Sequence, residues 1–289
     1  MPTTKHQAKV NKKVNRLLID IYDVDGKLVL AFEDTNFRNL AAIDLYQTEI
    51  RISKATINHN FKKIKQRVER LLSSKQFYNN LLLIEKNGLK AVSKKNAKQF
   101  KTIRRAGASI RGFLATFGKD HAAPPRFDKF IKKFGKLNDA IASKNNSKIK
   151  QGATLVLKNF DRKKLVRLVH DVKPANPKSS AAFLEKQLKK IAAYLQYEHL
   201  PTEDFHMLRK RLKFVMNALQ HIKARKNQHF HVMRDYIKDL NDAFGEINDL
   251  VVLLDMNKEI EMDEIHIHLP KELRLSVANA ISTIHVEVE

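Results

Sequence analysis

The sequence predicts a mainly α protein: a duplicated antiparallel helical bundle of two four-helix-like units, with short β-like segments flanking it at the N- and C-termini. Three observations predict this class. From about Ile57 to Leu254 apolar residues recur at spacings of three and four, the period of an amphipathic helix. The 289 residues include only 8 Gly and 7 Pro, fewer than a turn-rich β fold uses. The string Phe134-Gly135-Lys136-Leu137-Asn138-Asp139-Ala140-Ile141 returns as Phe244-Gly245-Glu246-Ile247-Asn248-Asp249-Leu250-Val251, 110 positions later.

Taken in order, Val14 to Phe32 reads as a hairpin: two β-rich runs, "RLLIDIY" and "KLVLAFED", joined at Asp25-Gly26, a strong turn signal. Residues 1–56 form an N-terminal flanking segment on this reading. The helical body spans 57–256, with a first unit at about 57–150 and a second at about 151–256. Its helix connections are expected near Ser73-Ser74, Asn87-Gly88, Gly118 to Pro125, Lys144 to Gly152, Lys173 to Ser180 and Pro201. Thr202 with Glu203 and Asp204 opens a helix whose first turn is acidic, as the helix dipole favours. An acidic extension follows at 257–289. Its alternating runs "IHIHLP" and "IHVEVE" suit strands that pair with the N-terminal hairpin.

Charge is the strongest functional signal. There are 55 Lys and Arg against 31 Asp and Glu, a formal +24, which calls for a polyanionic partner: nucleic acid, an anionic membrane or a phosphate polymer. Phe61 to Phe113 holds fifteen basic and two acidic residues, whereas Asp239 to Glu289 holds three basic and twelve acidic. With no cysteine there is no disulfide framework, thiolate metal site or cysteine nucleophile. No apolar stretch approaches a membrane span, and Met1 to Asp20 lacks the apolar core of a signal peptide. A soluble cytoplasmic protein without membrane insertion is therefore expected.

The helix after Pro201 concentrates the charge. His206, Arg209, Lys210 and Lys213 stand at i, i+3, i+4 and i+7; at about 100° per residue they share one narrow face. Leu208, Leu212, Val215 and Leu219 take the opposite face. No Asp or Glu between Phe205 and Ile222 offsets the stripe, so counter-charge must come from another helix or from a ligand. Upstream, Lys101-x-x-Arg104 matches His206-x-x-Arg209 at an offset of 105. This second ordered correspondence supports the duplication. The first copy is sparser: Lys101, Arg104 and Arg111 with Arg105 flanking, and Ala108 at the position of Lys213.

These strings resemble the conserved histidine α-helical domain, CHAD, whose hallmark is two copies of a helix reading roughly H-x-x-R followed by clustered basic residues. Each copy is followed by a helix carrying L-G-x-x-x-D. "FHMLRKRLKFVMNAL" and "LNDAFGEINDLVVL" match the second copy through His206, Arg209, Lys210, Lys213, Gly245 and Asp249. "FKTIRRAGASIRGFL" and "KKFGKLNDAI" match the first through Arg104, Arg111, Gly135 and Asp139. The resemblance implies a duplicated helical bundle that binds inorganic polyphosphate along a basic face or channel. Lys101, Arg104, Arg105, Arg111, Lys132, Lys136, His206, Arg209, Lys210 and Lys213 are the expected contacts. It departs from the family pattern at Lys101, which replaces the first histidine, at Ala108 and Ser109, and at Phe214 and Met216. Those departures leave room for contacts from Lys129 and Lys133, or from Arg234 and Lys238.

Other readings stay open at this point. His206 suits a phosphate contact because its neighbours on the stripe are cationic; a phosphorylated side chain and a neutral histidine bonded between helices are the alternatives. Asp139 and Asp249 are expected to orient the basic residues through salt bridges rather than to bind magnesium. Gly135 and Gly245 are expected to let helices approach closely. His229-x-His231 and His266-x-His268 lack a third ligand, so no metal site, no cofactor and no catalytic residue is expected. The family's frequent companion, a triphosphate-tunnel (CYTH) domain, has an E-x-E-x-K signature that "TEIRISK" does not match, so no fused triphosphatase is expected.

The leading function is non-catalytic polyphosphate binding, in association with polyphosphate granules. A nucleic-acid-binding protein using the same surface is the alternative. Against it, the chain has no Trp, and the stripes carry no interleaved Phe or Tyr for base stacking.

Overall fold

A computed structural model of the chain describes residues 6–7, 18–24, 26–33, 40, 43–222, 228–256 and 265–289. The fold is mainly α, with short strands toward the two ends of the chain and one more, His199–Pro201, between helices. In order these are β1 (His6–Gln7), β2 (Leu18–Val24), β3 (Lys27–Glu33), β4 (Thr48–Ile52), α1 (Lys54–Leu72), α2 (Lys75–Asn87), a 3-10 turn (Gly88–Ala91), α3 (Lys94–Phe117), α4 (Pro125–Ala142), α5 (Asn146–Asn159), α6 (Arg162–His170), α7 (Pro177–Tyr194), β5 (His199–Pro201), α8 (Thr202–His221), α9 (Gln228–Met256), β6 (Ile265–His268), α10 (Lys271–Ser282) and β7 (Ile284–Val288).

Local sequence explains where the helices begin. Ser53, Ser74, Asn145 and Asp161 each cap the helix that follows by accepting a backbone N–H with the side chain. Ser93 and Asn96 form a reciprocal capping box at α3, closing two orphan donors at once. Pro124, Pro201 and Pro270 stand immediately before α4, α8 and α10. The caps at Ser93 and Asp161 mark breaks that the apolar period alone does not reveal.

The chain forms two compact units, divided at Ser180–Ala181 and near Arg51–Ile52. The helical unit comprises 52–180 with Glu289 and holds six helices, α1 to α6. Its core is aromatic: Phe77, Phe100, Phe130 and Phe134 are fully buried. The Phe77–Phe100, Phe77–Phe134 and Phe100–Phe134 ring centroids lie 6.0, 5.6 and 5.7 Å apart, edge to face. Each such side chain contributes about 1.5–3 kcal/mol by burial. Gly107 sits against the side chain of Ile131, and a β-carbon at Gly152 would lie 3.2 Å from the Leu137 Cα. These are the two glycines that bring α3 and α5 close to α4.

The mixed unit joins 1–51 to 181–288. Its five-stranded sheet has the order β1-β2-β3-β6-β5. The expected hairpin is β2 and β3, antiparallel from Leu18↔Glu33 to Val24↔Lys27; the turn residue Asp25 lies outside the described residues. The expected pairing of C-terminal strands with the hairpin holds for β6, which runs parallel to β3. It fails for β7, which pairs with β4 in a separate two-stranded sheet. Of the acidic extension, 265–289 folds as β6, α10 and β7, while 257–264 lie outside the described residues. The Tyr236 hydroxyl donates to the Leu40 carbonyl at 2.9 Å, fastening α9 to the N-terminal stretch.

Candidate functional site

The helical unit presents its cations on adjoining faces of α3 and α4. α3 buries Ile103, Ile110, Leu114 and Phe117, which turns Lys101, Arg104, Arg105 and Arg111 outward, from half-buried to exposed. On α4, Asp128, Lys132, Gly135, Lys136 and Asp139 share a face by helical spacing. The two helices run antiparallel, and two ion pairs clamp them. Arg104 meets Asp139 at 3.2 Å. Arg111 meets Asp128 at 3.2 Å, and Lys132 reaches the other oxygen of Asp128 at 2.8 Å.

Asp128, in the first turn of α4, was not singled out in the sequence, yet it serves two cations. Six basic residues therefore share two carboxylates, leaving Lys101, Arg105 and Lys136, all exposed, without an ion pair among the described residues. Partly exposed pairs of this kind are worth about 0–1 kcal/mol. They orient the guanidinium groups of Arg104 and Arg111 at the face of α4.

The mixed unit builds the corresponding face on α8 and α9. Leu208, Leu212, Val215 and Leu219 are buried to within 1 % of full occlusion. His206 and Lys210 are exposed on the opposite side, and Arg209 and Lys213 are half-buried. Arg211 points elsewhere: it donates to the Gln187 side chain at 2.7 Å and lies 5.9 Å from the Tyr194 ring centre, binding α8 to α7. The reserve contacts Arg234 and Lys238 are engaged along their own helix, with Asp235 at 2.9 Å and with Asp239 and Asp242 at 3.6 and 3.8 Å. The Arg234 hydrogen bond is the largest cause holding the Asp235 carboxyl below its usual range.

The two faces share internal features that the motif strings only partly show. Phe100 stacks edge to face on Phe134 at 5.7 Å, and Phe205 stacks on Phe244 at 5.5 Å. Each pair joins the residue just before the motif helix's first basic position to the residue just before the repeated glycine. At the glycines the expectation needs correction. A β-carbon at Gly135 would meet the Arg104 Nε at 3.7 Å, and one at Gly245 would meet an Arg209 guanidinium nitrogen at 3.6 Å. Neither approaches a neighbouring helix backbone; each is a shelf under an arginine. The salt-bridge expectation holds at Asp139; Asp249 is exposed and has no ion pair among the described residues. Among the described residues no three of His, Asp and Glu gather where a metal ion would be held.

Each unit thus carries a helical face with buried apolar residues behind and clustered cations in front. A CHAD domain model matches residues 113–258, about half of the chain, and the chain belongs to that family, which is associated with polyphosphate binding. The match contains Lys132, Lys136, His206, Arg209, Lys210 and Lys213, and starts after Lys101, Arg104, Arg105 and Arg111. No curated protein and no solved structure matches the chain. No helix among the described residues is long and apolar enough to cross a membrane.

Proposed function

We propose that the protein binds inorganic polyphosphate, without catalysis, through the cationic faces of α3–α4 and α8. The observation that carries this reading is the α8 stripe. His206, Arg209, Lys210 and Lys213 are set one turn apart, against a fully buried leucine and valine stripe, inside the matched CHAD region. A phosphate polymer offers anionic oxygens repeated along one line. Arg209 suits a forked contact and the lysines act as mobile point charges. The α3–α4 face adds Lys101, Arg105 and Lys136, with Arg104 and Arg111 held in place by Asp139 and Asp128. The internal duplication is part of the same proposal: the ring pairs and arginine shelves recur in the same order on both units.

The test is a polyphosphate titration at two salt concentrations, beside single- and double-stranded nucleic acid at equal phosphate. Tight binding that falls with salt and is not displaced by nucleic acid supports the reading, because several neutralised phosphates release counterions together. Displacement by duplex DNA or RNA as effective as by polyphosphate assigns the faces to nucleic acid instead. Magnesium-dependent phosphate release from polyphosphate by the purified chain overturns the non-catalytic part.

A further inference from the structure

The five-stranded sheet carries three histidines on one face. His199 is paired with His268, and Pro201 with His266, across β5 and β6. On the other side of β6, Val29 is paired with His266 and Ala31 with His268. Because a strand alternates its side chains, these residues share one face, while Leu30, Leu200, Ile265 and Ile267 occupy the other and are buried. The His199 and His268 ring centres lie 5.1 Å apart.

All three histidines are half-buried. Each has an Nδ1 shut off from solvent and without a hydrogen bond, and the Nε of Arg274 is in the same condition. The charges facing the cluster are unbalanced. Lys27 comes from β3 and Arg274 from α10, both felt as cations by the histidines. Glu198 answers them from the residue before β5, 3.6 Å from His268 Nδ1, too long for a hydrogen bond. On β2, Asp20 and Tyr22 hold the register positions opposite Ala31 and Val29.

We propose that this histidine face is an acid-sensitive latch: neutral, it lets β5 lie against β6, and protonated, it drives the two strands apart and releases the start of α8. The coupling to α8 is direct. Thr202, the first residue of that helix, donates its hydroxyl to the Ile265 carbonyl at 3.0 Å, and the Leu269 N–H donates to the Glu198 carbonyl at 2.9 Å. Separation of β5 from β6 removes both anchors, one turn ahead of His206.

The direction follows from proton binding. Burial first, then Lys27 and His199, holds His266 below the usual histidine range. Burial likewise lowers His268, with His199 and Arg274 adding to it and Glu198 opposing it. His266 and His268 therefore bind protons more readily when β6 is unfolded than when it is folded. The latch is fully closed above the unfolded value of about 6.5 and weakens as the pH falls through it toward the lower folded values. It stands whether or not α8 holds polyphosphate, since its readout is backbone opening.

Hydrogen–deuterium exchange on the full chain, corrected for intrinsic rates, tests it. Between about pH 7.5 and 5.5, protection over 198–206 and 265–269 should fall by about tenfold, while α1 to α5 change by less than about twofold. Two variants that leave the histidines in place separate the latch from general acid loosening. Glu198→Gln removes the carboxylate beside His268 and should steepen the loss; Arg274→Gln removes a competing cation and should flatten it. Unchanged protection of β5 and β6 at the lower pH, or a shift of both variants in the same direction, overturns the proposal.

Discussion

The α3–α4 face and the α8–α9 face share two packing features and carry different charges. Each has a phenylalanine pair at the crossing of its two helices and an arginine lying over a glycine. On the first, the partner helix supplies Asp128 and Asp139, which take up Arg104, Arg111 and Lys132, and Ala108 leaves a gap in the stripe. On the second, Lys213 fills the position of that gap and Asp249 stays exposed. On the α3–α4 face the carboxylates of the partner helix hold three cations in ion pairs. The α3–α4 face has given part of its charge to clamping its own helices.

Predictions that break or sharpen this contrast run from large effects to small. Phe100→Ala and Phe205→Ala should each destabilise the protein by about 3–5 kcal/mol, measured by denaturant unfolding. A large cost at one and a negligible cost at the other would end the claim of a common frame. Arg209→Glu with Lys213→Glu should weaken polyphosphate binding by at least tenfold, or about 1.4 kcal/mol, with helicity unchanged in circular dichroism. Arg104→Glu with Arg111→Glu should cost less binding and more stability, because it sets glutamates against Asp139 and Asp128. The reverse order in paired titrations and melts would assign the main contacts to α3–α4.

Asp128→Asn should raise polyphosphate affinity by about twofold to threefold, by releasing Arg111 and Lys132, and lower stability by at most about 1 kcal/mol. A loss of affinity would show that the carboxylate's positioning of Arg111 outweighs its competition with the ligand. Gly135→Ala and Gly245→Ala, with ordinary contact distances at the added carbon, should stabilise by up to about 1 kcal/mol through helix propensity. A marked destabilisation in thermal melts would restore the reading of these glycines as close-approach sites.

Much of the site was legible in the sequence because helical spacing alone places charges on a face. His206, Arg209, Lys210 and Lys213 lie opposite Leu208, Leu212, Val215 and Leu219, as the period requires. Phe100 and Phe205 also sat in plain view at the motif offsets, and their aromatic character was the signal for a shared ring pair. Asp128 was harder to find. Its importance depends on α4 returning antiparallel to α3, so that its first turn meets Arg111 seventeen residues upstream.

The sequence by itself determined the helical class, the hairpin, the duplicated strings and the two cationic stripes. Each follows from short-range periodicity, turn chemistry and charge, which act between residues a few positions apart. Only the tertiary structure decided that Ser180–Ala181 divides the units, that β6 joins β3 in parallel while β7 pairs with β4, and that the repeated glycines support arginines rather than helix contacts. Those outcomes depend on which distant surfaces bury one another, and a local pattern carries no record of its partner.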